Sequence, residues 1–324
     1  MIDHFGTTPS DEAVQAVTLT AGDLTVRVLT WGAILQSVRL AGVAHDLTLG
    51  SDHLADYLGD LKHHGSVIGP VVNRLTNATA VIAGVPHQFE VNFNGRHTIH
   101  SGSIGTHRQN WTILATDDSS CTLGLTLPDG QGGFPGLREI RAEFVVTAPA
   151  TLTMTLRAST DAETILNFAN HSYWNLDGTA SFTGHHLRID AESFLPNDAD
   201  FKPTGEVRAV SGTPMDFRQS RPVAPAVPDL DTCFVLGNAR QSLRDVLWLT
   251  GASGLTLTLA TTEPGVQVYD ARGAQRPGGT AYEGLAIEAQ GWPDAPNHPD
   301  FPQITVKPGE VFAQVTQWRL TRQA

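Results

Sequence analysis

Apolar and polar residues alternate with a period of two along much of this chain. The alternation is clearest in CTLGLTL (residues 121–127), TLTMTL (residues 151–156) and LTLTL (residues 255–259). Alternation of this kind is typical of a strand that buries one face, because successive side chains point to opposite sides of a sheet. The pattern therefore predicts an all-β protein.

Segments near both ends of the chain have the same character. LTVRVLTWGAILQSVRL (residues 24–40) and ITVKPGEVFAQVTQWRL (residues 304–320) are rich in β-branched and aromatic residues, which favour strands. The best helix signal is SDHLADYL, from Ser51 to Leu58, where Ser51 or Asp52 is placed to cap a short amphipathic turn. We expect many strands and few short helices.

The chain shows no composition break that would separate two domains. The proline-rich stretch at residues 220–231 is short and leads directly into an apolar segment, which indicates a loop. Sheets with one apolar face must cover it against another layer. We therefore predict one domain over residues 1–324, built as a large antiparallel β-sandwich.

Composition and charge narrow the range of partners and compartments that the protein can have. The 324 residues are 40% hydrophobic and carry a formal net charge of −12, without a basic run, which argues against nucleic acid or an anionic membrane as partner. A small ligand fits this charge better. Two cysteines are too few for a disulfide framework, and the first residues lack the pattern of a secretory signal. We expect a cytoplasmic protein, monomeric or homodimeric.

Five separated segments concentrate polar and aromatic residues where the surrounding pattern predicts plain strand or turn. A site built from several strands of one sandwich would have this appearance, because only the fold brings its residues together. Asn94-Gly95 predicts a hairpin turn just before His100, which would place His100 at a strand entrance. The five segments are GPVVNRLTN, NGRHTIHSG, NHSYWNLDG, VQVYDARG and AIEAQGWPDAPNHPDFP.

These segments resemble the motifs of the aldose 1-epimerase (galactose mutarotase) family. QGWPDAPNHPDFPQITVKPGE (residues 290–310) is similar to the family's Gln, aromatic, Pro-Asp-Ala-Pro-Asn-His stretch and its Pro-Gly-Glu. NHSYWNL, IHSG, NRL and VQVY are similar to four further family motifs, and all occur in family order. The resemblance implies the galactose mutarotase-like supersandwich and an enzyme acting on a sugar.

Mutarotation of a pyranose needs a base for the proton of the anomeric hydroxyl and an acid for the ring oxygen. The resemblance implies that Glu288, in AIEAQ, is the base and that His171, in NHSYW, is the opposed acid. They lie 117 positions apart, so spacing alone does not pair them. Histidine suits the role because its ordinary pKa of about 6.5 lies near neutrality. The resemblance implies neither cofactor nor metal.

The resemblance also implies a set of sugar-binding residues. Polar side chains would hold the hydroxyl groups and an aromatic ring would cover the apolar face of the sugar. The polar candidates are Asn73, Arg74, His100, Asp231 and Gln267, and the aromatic candidates are Tyr173, Trp174 and Trp292.

Thirteen histidines, including the doublet His63-His64, raise the possibility of a metal site. No HExxH motif or paired cysteines accompany them, so we predict no metal and interpret most as solvated or hydrogen-bonded loop residues. Thr232 and Pro70 depart from the family pattern, where histidine and arginine are common, and this suggests either a substrate other than galactose or glucose or rearranged ring contacts.

Two other functions are compatible with the sequence. A hexose-6-phosphate epimerase of the same fold would need basic residues converging on a phosphate, and Arg74, Arg96 and Arg108 are the candidates. A non-catalytic sugar-binding sensor would not need both Glu288 and His171.

Overall fold

A computed structural model describes residues 1–322 of the chain. In the first hundred residues the strands are β1 (Ile2–Thr7), β2 (Ala13–Ala21), β3 (Leu24–Leu29), β4 (Leu35–Leu40), β5 (Val67–Ile68), β6 (Arg74–Leu75), β7 (Thr79–Ile82), β8 (Val85–Gln88) and β9 (Thr98–Ile99). The next are β10 (Thr112–Thr116), β11 (Ser120–Leu127), β12 (Arg138–Thr147), β13 (Thr151–Thr160), β14 (Thr164–Ile165), β15 (Ala169–Asn170), β16 (Tyr173–Trp174), β17 (His186–Ile189) and β18 (Ser193–Leu195).

The remaining strands are β19 (Arg208–Ala209), β20 (Arg221–Pro222), β21 (Asp231–Val235), β22 (Arg244–Thr250), β23 (Leu255–Thr261), β24 (Gly265–Tyr269), β25 (Leu285–Gln290), β26 (Thr305–Val306) and β27 (Phe312–Arg322). Helical structure is confined to α1 (Leu54–Leu58) and to short 3₁₀ turns at Thr76–Ala78, Gly102–Ile104, Thr106–Arg108, Gln131–Gly133 and Ala295–Asn297 within the described residues. The predicted all-β fold with few short helices is confirmed.

The largest sheet has nine antiparallel strands in the order β10-β11-β12-β13-β27-β23-β22-β17-β20. Its strands contain the three alternating segments of the sequence, and Leu152, Met154, Leu156 and Leu257 are buried on its inner face. β27 pairs with both β13 and β23, so this late strand occupies the middle of the sheet. The alternating pattern thus identified both the strands and their buried faces.

A six-stranded sheet in the order β16-β25-β24-β21-β18-β19 supplies the second large layer. Alternate residues of β25 point in opposite directions: Leu285, Ile287 and Ala289 enter the main core, shared with the nine-stranded sheet. Ala286 lies in a separate small cluster on the other face. Glu288 is two residues after Ala286 and therefore points to the same face of the sheet, away from the main core.

The N-terminal strands β1 to β4 form a sheet of successive hairpins, and its residues Val17, Leu19 and Val26 join the main core. The predicted helix after it is present, but it begins at Leu54 and has His53 at its N-cap without a side-chain cap. Ser51 does not cap it, because the Ser51 hydroxyl accepts the His53 N–H and donates to Asp56. The predicted capping role of Ser51 or Asp52 is therefore wrong.

The predicted turn at Asn94-Gly95 is present, with φ of 48° and 63° at the two residues and a bridge between Phe93 and His97. Positive φ at both positions is the reason that Asn-Gly suits such a hairpin. His100, however, follows β9 instead of opening it. The turn was predicted correctly and the place of His100 relative to the strand was not.

Candidate active site

A cavity of about 810 Å³ lies on the face of the six-stranded sheet that carries Glu288. Its walls come from segments that are far apart in sequence, as a site assembled from several strands requires. Seven of the predicted site residues line it: Asn73, Arg74, His100, His171, Tyr173, Asp231 and Glu288. The cavity is deep enough at its floor that Glu288 and His171 retain only 2% and 4% exposure.

His171 and Glu288 are neighbours on the cavity floor. His171 follows β15. Two backbone hydrogen bonds fix its position: its N–H donates to the carbonyl of Ser66, and its carbonyl accepts from the N–H of Gly65. Its Nε2 lies 3.5 Å from Oε1 of Glu288. That gap leaves no room for a sugar ring between the two groups. The expected opposed arrangement is therefore replaced by an adjacent one.

Burial shifts the proton affinity of both groups away from their ordinary values. It raises the pKa of Glu288 to about 8, and the negative charge of Asp231 adds to this while Arg74 opposes it. Burial also lowers the pKa of His171 to about 4. Both shifts disfavour the charged form, as expected for a desolvated floor. Burial thus favours a neutral His171 and a protonated Glu288.

A polar network surrounds the pair. Arg74 Nη2 donates to Asp231 Oδ2 at 3.1 Å, and Gln267 Nε2 donates to Asp231 Oδ1 at 2.6 Å. Gln267 is the cross-strand partner of Glu288 in the pairing of β24 with β25. Asp231 thus connects Arg74 to the strands below the pair, and both of its carboxylate oxygens are engaged.

Backbone geometry orients Asn73 and His100. Asn73 has φ of 64°, and its Oδ1 accepts the N–H of Arg74 at 2.8 Å. The N–H of Asn73 in turn donates to Nδ1 of His100 at 3.2 Å. A neutral His100 must then carry its proton on Nε2, which is available as a donor.

Three predicted residues lie outside the cavity. Trp174 is fully buried in the main core, 6.1 Å from the ring of Trp318, because adjacent residues of β16 point to opposite faces and Tyr173 takes the cavity side. Trp292 packs against Phe301 and donates to a backbone carbonyl. Neither tryptophan can cover a sugar in the cavity, so Tyr173 is the aromatic candidate that remains.

Gln267 is the third residue outside the lining, and it reaches the site through Asp231. Of the two departures from the family pattern, Thr232 lines a neighbouring cavity of about 550 Å³, which shares Asp231 with the first, and Pro70 lines neither cavity. The three arginines proposed for a phosphate do not converge, because Arg96 is paired with Asp200, 2.5 Å away, and neither it nor Arg108 lines the main cavity.

Sequence reasoning missed a group of histidines beside His171. His64 is 2% exposed and His107 is 3% exposed, and His63 and His64 line the cavity. His64 is not one of the solvated or hydrogen-bonded loop histidines, since it is buried and neither of its ring nitrogens has a partner among residues 1–322. A histidine doublet in the turn that follows α1 was the available signal. No group of three potential ligands in the described residues is placed to hold a metal.

The fold and the site define a carbohydrate epimerase built on a β-sandwich. A sequence profile of the aldose 1-epimerase family matches residues 15–319, and the chain belongs to this family. It is 30% identical to galactose mutarotase from Bos taurus, with 95% of this chain and 94% of the relative covered. It is 29% identical to aldose 1-epimerase from Escherichia coli K12, with 91% and 92% covered.

Solved structures support the same conclusion. The GalM/aldose epimerase homologue from C. elegans matches with a TM-score of 0.90 and 26% identity, over 96% of this chain and all of the other. Galactose 1-epimerase from Lactobacillus acidophilus matches in fold with a TM-score of 0.86 and 24% identity, over 100% and 99%. The protein is an enzyme, and no helix within residues 1–322 is long and apolar enough to span a membrane.

Proposed function

We propose that this enzyme interconverts the α and β anomers of a free aldose, with Glu288 as the base that takes the proton from the anomeric hydroxyl and His171 as the acid that protonates the ring oxygen. The single observation that supports this most is the 3.5 Å contact between His171 Nε2 and Glu288 Oε1 on a buried floor. The hydroxyl oxygen and the ring oxygen of a hemiacetal are bonded to the same carbon, so two adjacent groups reach both from one edge.

The reaction balances with one proton on the pair. Glu288 accepts the proton from the anomeric hydroxyl, His171 releases one to the ring oxygen, and the bond between the anomeric carbon and the ring oxygen breaks. The aldehyde then rotates, and ring closure returns both protons. The pair alternates between ionised Glu288 with protonated His171 and neutral Glu288 with neutral His171, without need of a cofactor.

The resting state of the pair is matched to the open-chain sugar. With the pKa of Glu288 near 8 and that of His171 near 4, the neutral pair dominates at pH 7. Neutral Glu288 donates to the aldehyde oxygen, and neutral His171 accepts from the hydroxyl that was the ring oxygen. These hydrogen bonds stabilise the open-chain intermediate and, with it, the transition states of ring opening and closure that resemble it.

The pH profile of the activity should have an acidic limb and an alkaline limb. One proton on the pair is needed, so we expect a plateau between about pH 4 and about pH 8. Below the plateau the pair takes up a second proton, on His171. Above the plateau the pair loses its only proton, from Glu288. NMR anomer exchange of D-galactose and D-glucose across this range tests the proposal. A rate that rises steadily with pH through 9 would contradict it.

Matched substitutions separate the two roles. His171→Asn keeps a polar side chain but removes the titrating group, and we expect a loss of about 100-fold or more in kcat. The residual activity should lose the alkaline limb and rise with pH through the pKa of Glu288, because Glu288 acting without His171 must be ionised to accept a proton. His185→Asn is the control, since His185 is buried at a distance from the cavity and bonds backbone groups. Polarimetry on freshly dissolved sugar measures both variants.

A further inference from the structure

We propose that His63 and His64 are positioning residues, which hold the imidazole of His171 in the orientation that faces Glu288. They act through a row of four neighbouring rings, which we call the ring stack: His63, His171, Tyr173 and His64. The inference rests on the proposed function, because only that function gives the orientation of His171 a kinetic effect.

The rings of the stack are close together and nearly parallel. The centroids of His63 and His171 lie 5.7 Å apart, with 27° between the ring planes. His171 and Tyr173 follow at 5.1 Å and 36°. Tyr173 and His64 are the tightest pair, at 4.1 Å and 25°. His171 therefore has a ring of similar orientation from each of two neighbours, and one of these rests on His64.

His171 lacks the hydrogen bond that orients other buried histidines of this protein. A backbone N–H donates to Nδ1 of His97 and of His100, at 2.9 Å and 3.2 Å. In His171, Nε2 faces Glu288, and Nδ1 is buried without a partner among residues 1–322. A hydrogen bond to the second ring nitrogen is the usual means of fixing a functional histidine. Packing must therefore hold this ring.

Nearly parallel neighbours are suited to that task. An imidazole that turned about its Cβ–Cγ bond would press its edge into the adjacent ring planes, and a close-packed site has no space to receive it. The ring stack thus keeps Nε2 of His171 on the side of Glu288, where the two atoms lie 3.5 Å apart.

His64 contributes its ring plane and no hydrogen bond. The side chain is 2% exposed, and both ring nitrogens are buried without a partner among residues 1–322. Burial lowers the pKa of His64 to about 3, so the ring is neutral. Its nitrogens are closed to a ligand, which leaves the contact with Tyr173 as the route by which His64 affects the site.

Backbone hydrogen bonds tie the turn that carries the histidine doublet to the segment of His171. The Gly65 N–H donates to the His171 carbonyl at 3.0 Å, and the side-chain amide of Asn170 donates to the Gly65 carbonyl at 2.7 Å. Gly65 has φ of 71°, and a Cβ there would lie 2.3 Å from the carbonyl oxygen of Leu35, so the turn requires glycine. The two halves of the ring stack are thus joined by a fixed backbone.

Paired substitutions of His64 test the proposal. His64→Leu fills the space without a ring, and we expect kcat for D-galactose and D-glucose to fall about tenfold with KM little changed, because a misplaced catalytic group slows the chemical step. His64→Phe keeps a flat ring without nitrogens and should restore kcat close to wild type. NMR anomer exchange over a range of sugar concentrations gives kcat and KM separately.

His298→Leu is the matched control. It also removes a histidine stacked on an aromatic ring, that of Phe301, at 4.6 Å and 28°, but His298 lines neither cavity. Activity per folded molecule should stay at the wild-type value. His63→Leu and His63→Phe repeat the comparison at a half-buried position of the stack and replace it where His64→Leu does not fold.

The Cε1–H resonance of His171 reports the orientation of its ring without turnover. We expect one narrow resonance in wild type and His64→Phe, and a shifted or exchange-broadened one in His64→Leu. Wild-type kcat in His64→Leu, or the same loss in His64→Phe as in His64→Leu, overturns the positioning role. Absence of anomer exchange in the wild-type protein overturns the proposed function instead, and the NMR comparison still tests the ring stack.

Discussion

The two faces of the six-stranded sheet contrast sharply. On the core face, Leu285 and Ile287 lie in the main hydrophobic core together with leucines of the nine-stranded sheet. On the cavity face, Nδ1 of His171 and Oε2 of Glu288 are buried without a partner among residues 1–322. Unpaired atoms also occur on the core side, at Oε1 of Gln314 and Nε1 of Trp318, but those of the cavity face border a space that a ligand can enter.

Two buried glutamates show the same difference. Glu263 is fully buried and its carboxylate is held by Arg240 at 2.7 Å. Glu288 is 2% exposed and has no ion pair with an Arg or Lys in the described chain. Burial raises the pKa of both. A carboxylate that is paired is structural, whereas one left facing a cavity beside a histidine is positioned to exchange a proton.

Exchanging the two glutamates for glutamine gives the largest expected contrast. Glu288→Gln should lower kcat about 10³-fold, because the amide cannot take the anomeric proton. Glu263→Gln should retain most activity per folded molecule and lose stability, since it leaves Arg240 without its partner. Polarimetry combined with urea denaturation measures both. Comparable activity losses in the two variants would remove the distinction between the faces.

A substitution in the core should have the converse effect. Leu257→Ala, on the inner face of β23, should reduce the free energy of unfolding by about 3 kcal/mol through lost burial and a residual cavity. KM and kcat of the folded fraction should stay close to wild type, because Leu257 does not line the active-site cavity. Urea unfolding monitored by fluorescence gives the first quantity and anomer exchange the second. A large change in kcat would show that the two faces are coupled.

The network beneath the pair should give an intermediate effect. Asp231→Asn keeps the shape but removes the charge that holds Arg74, so we expect kcat/KM to fall about 30-fold, the typical loss for a hydrogen bond to a charged group. The pKa of Glu288 should also fall, because the negative charge of Asp231 contributes to raising it. The alkaline limb of the pH profile should then move to lower pH. A limb that stays in place would exclude this electrostatic contribution.

The smallest expected effect is on stability at alkaline pH. The folded protein keeps the Glu288 proton up to about pH 8, whereas the unfolded chain releases it near 4.5, so wild-type stability falls as pH rises between these values. Glu288→Gln lacks this loss. It should be more stable than wild type by about 2 kcal/mol at pH 9, a figure that allows for water entering the cavity and reducing the cost of the buried carboxylate. The difference should vanish near pH 4.5. A pH-independent difference in thermal unfolding would contradict the shift.

The strands and their buried faces were readable from the sequence because alternation is a local property of the backbone. Leu152 and Met154 point the same way in any strand that contains them, whatever its neighbours are. The motif around His171 likewise placed it near a strand end, where β15 and β16 flank it. Family resemblance supplied Glu288 as its partner, since a spacing of 117 positions carries no such information.

Only the tertiary structure decided what these residues meet. Tertiary packing places Trp174 in the core, buries His64, brings His63 beside His171, and leaves Glu288 without a paired Lys or Arg among residues 1–322. Proton affinity depends on desolvation and on charges brought close through space, and neither is encoded in the local pattern. The sequence by itself therefore determined the layers of this protein and the kinds of groups available for chemistry, and the packing of distant segments determined their adjacency and their charge.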